Sequence, residues 1–350
     1  MVFILFVSPL CAQHISTKGQ LFVGGLSGND VPTGQSAFRV GLGYIPTLSI
    51  TRSLSDFSFI DFEWAYKLGL AHHGGSFVLN YNRNHRLWVR YVSGSVELRL
   101  GLQKVVFGTS QILRTLSWFD SVDIKDPTGQ TDGEGALRIK WFSSNSYSVW
   151  VWAIQDNYNF ISFGGRNEFS TGNGEWGLTV HHDPSEVSRR IGQKGPPIDH
   201  PHSRVAIDYR YDGLMGVWNE SALIFSNDIE IGMHTLGTDY TLPFADGVVI
   251  MGEIMHVCDS KKKHREMFSA FMVSIPIGMV NQFMFIAQTD WMKKHTYNYV
   301  RWSVKYDTFS LNFIISKSPK MAAYVNLDQN HINNITSSGT GLQLMFIYDY

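Results

Sequence analysis

The chain is short of the features that mark most folded domains of its length. It has two cysteines in 350 residues. One of them, Cys11, lies in an N-terminal apolar run; without that run Cys258 stands alone, and no disulfide can form within the remaining chain. Charged residues make up only 17% of the chain, against about 25% in a typical soluble protein, so a conventional charged surface is not expected. Lys and Arg number 29 and Asp and Glu 30; with no net basic field, a nucleic-acid partner has no electrostatic support. Past the N-terminus no apolar run approaches the roughly 20 residues of a membrane-spanning helix. Catalytic signatures are missing as well: there is no G-x-S-x-G, H-E-x-x-H, P-loop or C-x-x-C. The expectation is a protein that is not an enzyme and takes no cofactor.

What is present is aromatic residue and glycine. Phe, Trp and Tyr account for 14% of the chain, and Gly numbers 32 against 11 Pro. Such a chain suits many strands and tight turns. The mean hydropathy of −0.09 argues against a helical membrane protein but not against a β-barrel, in which alternate residues face water and the average falls near zero. Residues 1–12 (M-V-F-I-L-F-V-S-P-L-C-A) have the apolar run and small-residue end of a secretory signal peptide cut after Ala12. Residues 13–350 then form one domain.

Strand signals follow. In the segment from Ser58 to Gly69, Ile60, Phe62, Trp64, Tyr66 and Leu68 alternate with Asp61, Glu63, Ala65 and Lys67, placing two chemically distinct faces on one strand. Alternation alone does not separate a soluble sandwich from a barrel, since the polar face can be solvent or lumen. Length does: these runs have the roughly nine to twelve residues of a tilted spanning strand, whereas soluble strands usually have about five or six. Asp212-Gly213 is the strongest short hairpin signal in the chain, and Asp307-Thr308 marks another tight turn. The closing run Leu342 to Tyr350 puts Leu342, Leu344, Phe346, Tyr348 and Tyr350 on one apolar face. The segments count to about sixteen strands, within a range of 14 to 18. The predicted fold is all-β, a transmembrane antiparallel up-and-down barrel.

The alternation stops at 107–134, where a loop rich in Trp, Phe, Leu and Ile replaces it; a long apolar loop of this kind is functional rather than disordered. The run G-L-Q-K-V-V-F-G-T-S at 101–110, L-R-T-L-S-W-F-D at 113–120 and D-P-T-G-Q-T-D-G-E-G-A-L-R at 126–138 resembles porin-like outer-membrane barrels, chiefly of Bacteroidetes-type bacteria. It is similar, at greater distance, to alginate-export and capsule-assembly barrels. The resemblance is close here and extends to the rest of the chain as strand pattern. It implies the outer membrane of a Gram-negative envelope and a barrel architecture, in which the loop is expected to fold inward. The closing strand likewise resembles the signal read by barrel-assembly machinery, which implicates Leu344, Phe346, Tyr348 and Tyr350.

Opposed charges then become candidates for a constriction. Arg86, Arg90, Glu97, Arg99, Arg138 and Lys140 lie on polar strand faces, and the loop adds Arg114, Asp120, Asp123, Lys125 and Asp126. If the loop folds inward, their field would select solutes, giving a passive channel for small hydrophilic solutes. The same charges could instead form a salt-bridged ladder inside a non-conducting barrel that binds surface polysaccharide or anchors an envelope complex. The histidine pairs His72-His73 and His181-His182, with His200 and His202, are read as loop residues in contact with water or headgroups, with no metal site assigned. The basic tip from Lys261 to Arg265 is read as a solvated loop, with binding to anionic surface glycans as the sharper alternative. Outer-membrane lipid and lipopolysaccharide complete the expected partners.

Overall fold

The computed structural model describes residues 13–30, 37–73, 76–143, 146–156, 158–244, 246–319 and 339–350, and among these not the side chains of 13 and 73–81. Residues 1–12, expected to be a signal peptide, and most of 317–340 lie outside the described residues, as do residues 144–145. The strands are β1 (Gln13–Gly28), β2 (Phe38–Ser55), β3 (Ser58–His73), β4 (Ser76–Ser93), β5 (Val96–Gln103), β6 (Glu134–Phe142), β7 (Tyr147–Gln155), β8 (Ile161–Thr171) and β9 (Gly174–Asp183). After two short pieces, β10 (Arg189–Arg190) and β11 (Pro197–Ile198), come β12 (His202–Asp212), β13 (Gly216–Phe225), β14 (Glu230–Leu242), β15 (Val248–Asp259) and β16 (His264–Ile277). The last are β17 (Asn281–Asp290), β18 (His295–Lys305), β19 (Phe309–Ser318) and β20 (Gly339–Asp349).

Among the described residues eighteen of these strands form one antiparallel sheet in which each pairs with its neighbours in chain order, β9 passing to β12. β20 also pairs with β1, from Gln20↔Asp349 to Gly28↔Gly341, so the sheet has no free edge. Closure satisfies every ladder without water, the condition for crossing a bilayer with strands.

Side chains follow the period-two rule with an inverted polarity. On β13, Trp218, Glu220, Ala222 and Ile224 are buried, while Val217, Leu223 and Phe225 are exposed. On β19 and β20 the exposed set includes Phe313, Ile315, Leu342, Leu344 and Tyr348. The buried set includes Asp61, Arg86, Glu97, Arg138, Arg166, Asp208, Glu220 and Glu253. A continuous apolar exterior around a charged interior is stable only against lipid. The fold is therefore a membrane-spanning β-barrel.

Two segments fold into the barrel: 104–133, between β5 and β6, and 184–201, between β9 and β12. Phe107, Ile112, Leu113, Leu116, Trp118, Phe119, Ile191 and Ile198 from these segments pack in one cluster with wall residues Trp152, Trp218, Ile224, Met233, Met251 and Met255. The inward-folding loop is thus present, although Glu134 belongs to β6 and the loop begins at Lys104. The second segment reads in sequence as a polar surface loop; its isolated Ile191 and Ile198 gave no periodic signal of burial.

Eighteen strands is the top of the expected range and two above the central count. The strand without a sequence signal is β8, I-S-F-G-G-R-N-E-F-S-T, where Gly164 and Gly165 interrupt the alternation. One end of the barrel has tight turns at 94–95, 172–173, 213–215, 278–280 and 306–308. The other carries both inward segments, but also four-residue turns at 226–229, 260–263 and 291–294.

The seam is fastened at the tight-turn end. Tyr350 exchanges backbone hydrogen bonds with Gly19 at 3.0 and 3.1 Å, its hydroxyl meets that of Tyr44 at 2.6 Å, and its ring stacks on Tyr44 and Tyr348. Replacing Tyr348 and Tyr350 by Ser should lower the yield of inserted barrel, read as the species that migrates faster on a gel when unboiled. Undiminished yield would show that these rings have no part in assembly.

Candidate functional site: the lumenal loop and its charged wall

A backbone segment without regular structure that enters a barrel must find partners for its N–H groups. Here two wall carboxylates supply them. Glu220 on β13 accepts from Thr109 (2.6 Å), Ser110 (2.7 Å) and Leu116 (2.9 Å). Glu253 on β15 accepts from Gln111 (2.7 Å), Ile112 (3.0 Å) and Leu113 (2.5 Å). The indole N–H of Trp218 also reaches Glu253, at 3.1 Å. It gets there by lying over Gly237, which sits between Trp218 and Glu253 in register; a Cβ at Gly237 would occupy the place of the ring. Gly108 has φ +98° and passes so close to Glu220 that a side chain there would collide with the carboxylate. Both conditions favour glycine.

From these anchors the loop continues around the wall. The Thr115 hydroxyl meets that of Thr235 on β14 at 2.9 Å. Tyr299 on β18 donates to the Lys125 carbonyl at 2.7 Å. Gln20 on β1 donates to the Thr128 carbonyl at 3.3 Å, Gln130 meets His85 on β4 at 3.0 Å, and Arg86 donates to the Thr131 carbonyl at 2.6 Å. The loop therefore touches the barrel on both sides of the lumen before returning to β6. The second segment locks onto it through Gly192 N–H to the Ser117 carbonyl (3.2 Å) and Gln193 N–H to the Arg114 carbonyl (3.0 Å).

The wall from β3 to β8 is charged. In cross-strand register Asp61 faces Arg90, Arg90 faces Arg99, and Arg99 faces Arg138. Three arginines in one row repel unless anions or π-faces intervene. Arg90 pairs with Asp61; Glu97 is shared by Arg90 (3.4 Å), Arg99 (3.3 Å) and Arg138 (2.9 Å). Trp88 lies 4.5 Å from the Arg99 guanidinium, and Trp150 lies 5.0 Å from that of Arg138 and 4.0 Å from the Lys140 amine, distances at which cation–π attraction holds. The next row continues through Lys140–Glu168 (3.1 Å), Arg166–Glu168 (2.9 Å) and Arg166–Asp208 (2.6 Å).

Of the residues singled out in sequence, Arg90, Glu97, Arg99, Arg138 and Lys140 thus come together on one wall. Arg86 lies apart, holding the returning loop. Arg114 and Asp120 pair with each other, with side chains 5% and 1% exposed, so neither presents a charge to a solute. Asp123 and Lys125 pair at 3.3 Å on the side of β18, and burial raises the Asp126 carboxyl above its ordinary range, opposed by hydrogen bonds from Thr128. Glu220 and Glu253 were missed, as were Arg166, Glu168 and Asp208. The available signal for the two glutamates was a carboxylate flanked by apolar residues on the inward face, Trp218 and Ala222 around Glu220, Met251 and Met255 around Glu253. His181 faces inward, accepting from Trp152 at 3.2 Å, whereas His182 on the other face meets Ser203. The side chain of His73 lies outside the described residues.

Lys194, on the second segment, lies 5.7 Å from the Phe268 ring. Burial, with Lys125 adding repulsion, lowers its amine from 10.5 to about 8. The folded state then binds fewer protons than the unfolded chain between those values, so stability rises with pH across that window. The rise in thermal stability from pH 8 to 10.5 should be smaller in Lys194→Met. For the anchors, Glu253→Ala leaves buried N–H groups unpaired at about 1–3 kcal/mol each. Hydrogen exchange at residues 111–113 should accelerate more than about tenfold; unchanged exchange would show that Glu253 does not hold the loop.

No family model matches the chain, and no curated protein sequence matches it. Solved structures do. Over 96% of this chain and 97% of theirs, the coordinates superpose on OccK5 (OpdH) of Pseudomonas aeruginosa with a TM-score of 0.61 at 8% identity. A loop L8 deletion mutant of OmpT, an outer membrane protein of Vibrio cholerae, gives 0.51 at 12% identity, covering 97% of this chain and all of the other. A triple mutant of Rhodopseudomonas blastica porin gives 0.50 at 9%, covering 96% and 100%. At these identities the likeness is one of fold, and the fold is that of outer-membrane porins.

Proposed function

We propose that the protein is a passive channel of the bacterial outer membrane for small hydrophilic solutes, with segment 104–133 setting its constriction. The observation that carries this reading is the row Arg90–Arg99–Arg138, held on an inner wall where, among the described residues, Asp61 and Glu97 are the carboxylates in ion-pair contact with it. A wall built only to stiffen the barrel would match its charges one to one. Arg90 and Arg99, with side chains 28% and 17% exposed, are instead fixed in place over Trp88 while keeping donors toward the lumen. The remaining members of the constriction are Lys140 with Glu168, and the Asp123–Lys125 pair across the barrel. The porin fold and the resemblance in 101–138 support the same reading, and no catalytic role enters it.

Planar-bilayer recording on refolded protein tests it. The expected result is discrete conductance steps, larger in a variant lacking residues 110–130, with anion preference reduced by Arg99→Gln. Absence of steps in both wild type and the deletion would sink the channel reading and favour a closed barrel with a binding role.

A further inference from the structure

Two neighbouring turns at the long-loop end share one plan. The chain passes from β15 to β16 through Asp259-Ser260-Lys261-Lys262-Lys263-His264, and from β17 to β18 through Asp290-Trp291-Met292-Lys293-Lys294-His295, both D-x-x-K-K-H. In each the aspartate caps the turn: Asp259 accepts from the N–H of Lys262 at 2.9 Å, and Asp290 accepts from those of Met292 and Lys293 at 3.1 and 3.0 Å. In each the last turn residue is a lysine at positive φ, 52° for Lys263 and 55° for Lys294. Glycine or asparagine suits that conformation best, so the turn itself does not call for lysine.

The turns lie side by side. β16 pairs with β17, the N–H of Trp291 donates to the Met267 carbonyl at 3.0 Å, and the Lys293 amine reaches Glu266 at 3.2 Å. The acids of the two turns and of β16 are engaged, Asp259 with Lys262 (3.9 Å), Glu266 with His264 (3.4 Å) and Lys293, and Asp290 with Lys293 (3.3 Å), while Glu230, whose carbonyl accepts from Ser260, is exposed beside the first turn. Lys261, Lys263, Arg265 and Lys294 are exposed and have no carboxylate partner among the described residues. Their height is marked by Trp291. Its indole, 53% exposed, donates at 3.0 Å to Ser269 on the outward face of β16, with exposed Met267 and Met292 beside it. An amphipathic indole on a barrel exterior sits at the boundary between hydrocarbon and headgroups. The unpaired cations therefore stand at headgroup level, outside the lumen.

We infer that the twin turns form a clamp for the phosphate groups of the outer-leaflet lipid, a phosphorylated glycolipid of the lipopolysaccharide type. Charge complementarity selects phosphate, and the position against the lipid-facing wall at the long-loop end, which in bacterial barrels is the outer face, selects an outer-leaflet lipid as its carrier. The inference rests on the membrane-spanning barrel and is independent of conduction.

The test uses the full refolded barrel in detergent, titrated with phosphorylated lipid A and with its dephosphorylated form, lipid retention being read by native mass spectrometry. The variant is Lys261→Gln/Lys263→Asn/Lys294→Asn, in which asparagine keeps the positive-φ positions satisfied; unboiled gel migration confirms that it folds. Wild type is expected to prefer the phosphorylated lipid by about tenfold or more, and the variant to lose that preference. Equal retention of the two lipids by wild type, or an undiminished preference in the folded variant, would overturn the clamp. Displacement of the lipid by inorganic phosphate at matched concentration would assign the site to free phosphate and overturn the lipid.

Discussion

The interior of this barrel depends on two carboxylates that between them accept six consecutive or near-consecutive backbone N–H groups. A segment with no helix or strand cannot satisfy its own backbone, and inside a barrel it has little bulk water to do so. Glu220 and Glu253 take that role, each accepting through both of its carboxyl oxygens. Once the backbone is pinned, the side chains can build a conventional apolar core. Leu113 and Leu116 are fully enclosed, as in a soluble protein, although the wall around them faces lipid on its other side. The barrel thus has two solvents and a private core, and the carboxylates connect the two regimes.

The charged wall is the complement of that core. Against residues 109–116 the inward face of β13 to β15 offers Met233, Met251, Met255 and Trp218; on β4 to β6 it offers Arg90, Arg99 and Arg138. The aromatic rings at Trp88 and Trp150 provide a flat surface for the guanidinium groups, limiting the rotamer freedom of long side chains that would otherwise sweep the lumen. Glu97 tempers repulsion among three arginines without cancelling it.

Much of this was legible in sequence because a barrel strand states its two faces residue by residue. The run Ile60, Phe62, Trp64 against Asp61, Glu63, Ala65 could be read directly, and the partners on β4 to β6 followed from the same alternation. β8 was not legible, since glycine at 164 and 165 removes the signal at the point where the strand is most needed. The inward turn of 184–201 was hidden for a different reason: burial inside a barrel is decided by distant strands, and a proline- and glycine-rich segment looks the same whether it lies over a rim or beneath it. Glu220 and Glu253 are the same problem in miniature. Each looks like an ordinary lumen carboxylate until the loop from more than a hundred residues away arrives.

The seam between β1 and β20 carries a temporal consequence. Gln20 meets Asp349 across 329 positions of chain, so the ring cannot shut until its last residues are in place. Segment 104–133 bonds to strands on both sides of that seam, Tyr299 on one and Gln20 on the other. The loop's hold on the wall is therefore complete only when the final strand is laid, so that closing the ring and seating the loop are one event and not two.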